Sequence, residues 1–205
     1  MKSHEFIFDD TRPSPKFINS QVDTNQWKQL GSGADVSVWQ HIADRDTVVK
    51  IVGGGRSYGN NSGTGSVLYA KFCDDYGDEN KHFLRVLDIN DDDPMVCQIR
   101  VERLIPLPEE NNLGDALHSL SDAIEYNLQH QLVEEYASEV EDRLVADGLS
   151  RYNRVVDIVN AVRKLCNERR DYARQFKVDA PTIDLHEANW MMRPDGTIVI
   201  SDPWL

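Results

Sequence analysis

Between Trp27 and about Leu107 the apolar residues fall in short runs, VSVWQHI, TVVKIV, FLRVLDI and MVCQIRVERLI, separated by clusters of Gly, Asp and Asn. Such β-branched runs bounded by turn residues predict an antiparallel sheet. Among them, GSVLYAKFCDDY spaces Val67, Leu68, Ala70, Lys71 and Phe72 as one short helix, after the turn-rich GGGRSYGNNSGTG. Beyond Pro108 the period changes. LGDALHSLSDAIEYNLQHQLVEEYASEVEDRLVADG carries apolar residues three and four apart and predicts one long helix, with Gly148 as its stop. A further helix follows in RYNRVVDIVNAVRKLCNERRDYARQF, where Val155, Ile158, Val159, Val162, Leu165 and Cys166 line one face. The terminal WMMR, PDG and TIVIS then predict a β-hairpin by turn chemistry.

This order, a sheet with one helix, then helices, then a hairpin, predicts an α+β fold in two lobes. The expected division is an N-terminal arm over 1–26, a β-rich lobe over 27–107 and a helical lobe with the hairpin over 108–205, joined near ERLIPLPEEN. A chain of 205 residues with 40% hydrophobic residues can fill one such core.

Lys and Arg number 22 against 35 Asp and Glu, a formal net charge of -13. That balance repels a duplex phosphate backbone, so general nucleic-acid binding is not expected. It does not exclude a nucleotide, whose phosphates are held by local amides, a lysine and a metal. Cys73, Cys97 and Cys166 are odd in number and far apart, which suits reduced core thiols in a cytoplasmic protein. No apolar run of membrane-spanning length and no signal-peptide pattern is present, so no membrane partner is expected.

The chemistry-bearing residues lie in four places. In LGSGADVSVW, Gly31, Ser32 and Gly33 form a turn-capable segment before Val38, whose amides can face phosphate oxygens. In TVVKIV, Lys50 sits among apolar residues on a strand, where a buried ammonium requires an anion. Asp184 and Asn189, in D-x-x-x-x-N spacing, place a carboxylate and a carboxamide on one short loop. Asp202, past the hairpin, completes a set of hard oxygen ligands of the kind Mg²⁺ takes alongside phosphates. His186 lies between Asp184 and Asn189 without an HxxxH or HxH companion, so it is not assigned to a metal.

Taken in this order, LGSGADVSV, VVK, DLHEAN and SDP resemble the glycine-rich loop, strand lysine, catalytic loop and metal aspartate of the protein kinase superfamily. D-L-H-x-x-N is also similar to small-molecule phosphotransferases. LGSGADVSVW, SGTGSVLYAKFCDDYG, IDLHEANWMM and ISDPW most closely resemble the early serine/threonine kinases of T7-type bacteriophages, over roughly Leu30 to Leu205. The resemblance implies a compact two-lobed kinase-like fold and a phage early protein that uses ATP and Mg²⁺ to phosphorylate host proteins on Ser or Thr. By motif position, Lys50 would hold the α- and β-phosphates and Asp184 would be the base. Asn189 and Asp202 would hold metal, and backbone groups of Glu102 to Leu104 would meet the adenine as a hinge. Ser57, Ser62, Thr64 and Ser66 would be autophosphorylation acceptors.

Several positions depart from the kinase pattern. Val36 replaces the third loop glycine, Thr182 and Ile183 replace His-Arg, and Pro203-Trp204 replace Phe-Gly. No Glu stands at an evident Lys-pairing position on the short helix; Asp74, Asp75 and Glu79 are the nearest acids in sequence. With three residues after Asp202, no activation segment is expected. Two alternatives accompany the kinase expectation: a pseudokinase-type inhibitor that binds a basic host surface through its acidic helices, and a small-molecule phosphotransferase.

Overall fold

A computed structural model describes residues 17–18, 21–22, 25–32, 36–53, 63–93, 96–126 and 130–205. Most of the expected arm, and with it Gly33, Ser57 and Ser62, lies outside the described residues. Two short strands, β1 (Phe17–Ile18) and β2 (Gln21–Val22), pair with each other. The main sheet then uses β3 (Trp27–Ser32), β4 (Val36–His41), β5 (Thr47–Gly53), β6 (Val86–Asp93) and β7 (Val96–Glu102). Its order is β3-β4-β5-β7-β6 and every pairing is antiparallel. Helix α1 (Gly63–Tyr76) lies between β5 and β6 in sequence. The fold is thus α+β as the periodicity predicts, with five strands in the main sheet and four helices among the described residues.

Strand alternation decides which way β5 faces. Val48 and Val52 point into the principal core with Val67, Leu68, Phe72 and Ile99, while Val49 and Ile51 join Trp27 on the opposite face. Lys50 shares the face of Val48 and Val52, because side chains two apart on a strand project to the same side.

Helix α2 (Leu113–Glu125) and helix α3 (His130–Ala146) replace the single long helix expected over this stretch. The reason is apolar supply. Leu113, Ala116, Leu117 and Leu120 are buried on α2, whereas among the described residues α3 buries only Val140 and Leu144. A straight helix of the expected length would run about 50 Å and carry that second half off the core; the break lets α3 fold back against α2. Gly148 does end α3, in the left-handed conformation at φ 68°, with the amides of Leu149 and Ser150 both donating to the Leu144 carbonyl. Helix α4 (Val155–Gln175) buries Ile158, Val159, Val162 and Leu165, the face its period marks.

The expected hairpin is β9 (Trp190–Met192) with β10 (Ile198–Ile200), Ile198 opposite Met192. A short strand, β8 (Ile105–Pro106), adds to β9 and makes a three-stranded sheet. Arg193 fastens this unit to β7: its Nε and Nη2 reach the two Glu102 carboxylate oxygens at 2.6 Å each. Phe72 is the centre of an aromatic cluster with Tyr69, Tyr76, Phe83, Tyr172 and Trp204. The three thiols are free, and burial pushes Cys73 up to about 12 and Cys97 and Cys166 up to about 11, which leaves them protonated and unreactive at neutral pH.

His82 is wholly buried beneath the hairpin, its Nδ1 donating to the Ile198 carbonyl at 2.8 Å while Nε2 has no partner among the described residues. Burial lowers its pKa to about 4. An unfolded imidazole protonates near 6.5, so between these values the unfolded chain binds a proton that the folded chain refuses. Stability therefore falls as pH falls through this window, by about 1.3 kcal/mol between pH 7.5 and 5.5 from this group. Urea melts at the two pH values test this, staying above the pI near 4.8. A His82→Gln protein should lose less than wild type over the same interval, and equal losses would assign the dependence to other groups.

Candidate functional site

Lys50 is directly opposite Val38 on β4 and Ile99 on β7, and Val38 is opposite Gly31 on β3. Gly31, Val38 and Lys50 therefore form one row on one face of the sheet. A β carbon built on Gly31 would meet nothing within 4 Å among the described residues. Ser32 pairs with Ser37, which pairs with Ile51, and so belongs to the opposite face from Lys50. The register shifts between Gln29 and Gly31, which leaves Leu30 unpaired and 42% exposed, as at a β-bulge.

The second half of the site is built by two segments far apart in the motif reading. Ile183 bridges Trp204 in antiparallel fashion, Thr182 and Leu205 exchange both amide bonds, and the Asp184 amide donates to the Pro203 carbonyl at 2.8 Å. Asn189 accepts from the Ser201 amide at 2.8 Å and from its hydroxyl at 3.1 Å through its carbonyl oxygen. These bonds close the chain on itself either side of the hairpin, which sets Asp184, Asn189 and Asp202 along one short stretch of paired backbone.

From the sheet, the Lys50 amine donates to the Ser201 carbonyl at 2.9 Å and lies 3.3 Å from the Asp202 carboxylate. Their side chains are 13% and 25% exposed, so the pair is partly shielded from water. The anion that a strand lysine in this setting requires is thus Asp202. None of the three acids nearest α1 takes that place: Asp75 accepts from the Tyr172 hydroxyl, Glu79 pairs with Lys164, and Asp74 has no contact with Lys50. Helix α1 instead contributes Ser66, whose hydroxyl lies 3.0 and 3.1 Å from the two Asp202 oxygens. Ser66 is 7% exposed, which corrects the expectation that it is an accessible phosphoacceptor. Its role was not legible because a serine in a helical run carries no period and no motif.

At the other end of the site, Asn189 Nδ2 donates to the Asp184 carbonyl at 2.7 Å and approaches its carboxylate at 3.5 Å. A carbonyl only accepts, so this bond assigns Nδ2 and leaves Oδ1 of Asn189 as an acceptor with no partner among the described residues. His186 Nε2 stands 3.4 Å from Asp184 Oδ2, while its Nδ1 accepts from the Ala188 amide. His186 is therefore a neighbour of Asp184 that spacing alone did not assign. The loop is steadied from behind, where His118 and the Trp190 indole both reach the Leu185 carbonyl.

The expected hinge is partly committed within the fold. The Glu102 amide donates to the Arg85 carbonyl and the Arg103 amide to that of Asp46, while the Glu102 carboxylate is taken by Arg193. Leu104 is half-buried against the core.

For a metal, Asp202 and Oδ1 of Asn189 offer a carboxylate and an amide oxygen. These are the donor types Mg²⁺ takes when phosphates and water complete its shell. Among the described residues, no group of three or more His, Cys, Asp or Glu side chains is placed to hold a metal ion unaided. No helix among them is long and apolar enough to cross a membrane. No protein-family model matches the chain, and no curated protein matches it.

Proposed function

We propose that the protein is an ATP- and Mg²⁺-dependent serine/threonine protein kinase with a two-lobed kinase-like fold, of the kind T7-type phages direct at host proteins. One observation carries the proposal: Lys50 from the sheet meets Asp202 from beyond the hairpin, and backbone pairing holds Asp184 and Asn189 on the same stretch as Asp202. In this reading Lys50 binds the α- and β-phosphates, with Gly31 and Val38 beneath the nucleotide. The adenine edge is met at Leu104, since the amides of Glu102 and Arg103 are engaged elsewhere. Mg²⁺ neutralises phosphate charge when bound, and Asp202 and Asn189 are the side chains that would hold it. Asp184 accepts the proton of the acceptor hydroxyl as that oxygen bonds to the γ-phosphorus and the bond to ADP breaks.

Calorimetric titration with ATP and Mg²⁺ tests the site. Lys50→Ala and Asp202→Ala should each weaken binding at least tenfold, and equal affinity in all three proteins rejects the assignment. Incubation with labelled ATP and bacterial lysate, followed by mass spectrometry of phosphosites, tests the activity.

A second reading draws on the contacts of Asp202. Its carboxylate is already engaged by Lys50 and by the Ser66 hydroxyl, an arrangement that is satisfied without a cation. This favours a pseudokinase that disables a host protein by binding it.

A further inference from the structure

Helix α4 and its C-terminal turn carry an exposed line of Asn160, Arg163, Asn167, Arg170, Arg174 and Lys177, spaced three and four residues apart as on one helix face. The line holds four cations and no carboxylate, on a chain whose net charge is -13. Among the described residues Arg163, Arg170 and Lys177 have no ion-pair partner, and Arg174 has only Asp171 at 2.5 Å on the same helix. Solubility does not require unneutralised cations aligned on a protein so rich in acid.

Lys177 supplies an independent sign. It stands just past α4 at φ 58°, with its amide donating to Arg174 and that of Val178 to Ala173. This is the left-handed helix-ending position that glycine fills most readily. Helix α3 ends in the same conformation on a glycine, Gly148. A lysine there carries backbone strain that glycine would not.

We propose that this line docks an acidic, extended protein segment. The two asparagines favour a peptide over a nucleic acid: each amide has a donor and an acceptor, matching the C=O and N–H of a peptide, whereas phosphodiester oxygens only accept. From Arg163 to Lys177 the line is about 21 Å long and one side chain wide, the reach of six or seven extended residues. On the kinase reading, the docked segment is the acidic flank of the phosphoacceptor, because Lys177 precedes Asp184 by only seven residues.

The probe is a fluorescein-labelled peptide of six glutamates followed by Gly-Ser-Gly, with a six-lysine counterpart and a 12-nucleotide oligothymidylate, each titrated by anisotropy in low salt. Wild type should bind the glutamate peptide, and Arg163→Glu with Arg170→Glu should weaken it at least tenfold. Lys177→Gly should weaken it about threefold while raising the thermal midpoint, a combination that damage to the fold cannot produce. Unchanged affinity in either variant overturns the proposal, as does tighter binding of oligothymidylate than of the peptide. Asp184→Asn should dock as wild type does. Docking by a wild-type protein that transfers no phosphate would retire the kinase reading and keep the surface. Equal KM for acidic and neutral peptide substrates would retire the surface and keep the kinase.

Discussion

Asp184→Asn should lower phosphoryl transfer by about 10²- to 10⁴-fold, the range a positioned general base contributes, while leaving folding and ATP binding near wild type. The loop around it is held through backbone atoms: the Asp184 amide bonds Pro203, and its carbonyl accepts from Asn189. Those bonds survive the substitution. Only the carboxylate is removed, together with its approach to His186. The nucleotide's proposed contacts, at Lys50, Asn189 and Asp202, are untouched. Phosphate incorporation and host growth arrest should be measured in parallel for both proteins. If arrest persists after incorporation is lost, the protein acts by binding and the enzymatic reading falls.

Arg193→Ala should cost about 3 kcal/mol of stability, because it strips the partner from a poorly exposed carboxylate. The two side chains are only 17% and 14% exposed. The loss is compounded because Arg193 also donates to the backbone carbonyls of Lys81 and Phe83, tying the segment before β6 to the hairpin. For a domain of this size, that corresponds to a midpoint lowered by about 10 °C. Arg193→Lys should recover only part, since an ammonium cannot span both carboxylate oxygens and the carbonyls in one plane. Differential scanning calorimetry of these variants and Glu102→Ala would measure it, and a midpoint within a degree of wild type would show the pair to be dispensable. In the double variant the losses should fall short of additive, as the remaining charge is no longer stranded.

The sequence makes some parts of this molecule legible because local chemistry and tertiary need agree there. The β-branched runs become strands, PDG becomes a hairpin turn, and Gly148 ends a helix because only a left-handed residue fits. Lys50 is marked by its own incongruity, a cation in an apolar strand. The division between α2 and α3 is not marked, since both halves keep a helical period and the break follows from how much apolar surface the core can take. The partners of Asp202 are hidden for a different reason. Ser66, Lys50 and Asp202 meet only through long-range packing, and the pairing of Thr182–Asp184 with Pro203–Leu205 has no signature in either segment.

The contact between α1 and the end of the chain has a mechanical meaning. Gly65 lies so close to Trp204 that a β carbon there would stand 2.2 Å from the Trp204 carbonyl oxygen. One residue on, Ser66 holds Asp202, and one turn further the Tyr69 hydroxyl donates to the Ile200 carbonyl at 2.7 Å. Three points along one face of α1 thus grip alternate residues of a single strand-like segment, two of them through its backbone. Helix and segment are joined directly, with no third element between them. The position of the Asp202 carboxylate beside Lys50 is thus set in part by α1, through contacts that begin on the helix and end on the segment carrying the charge.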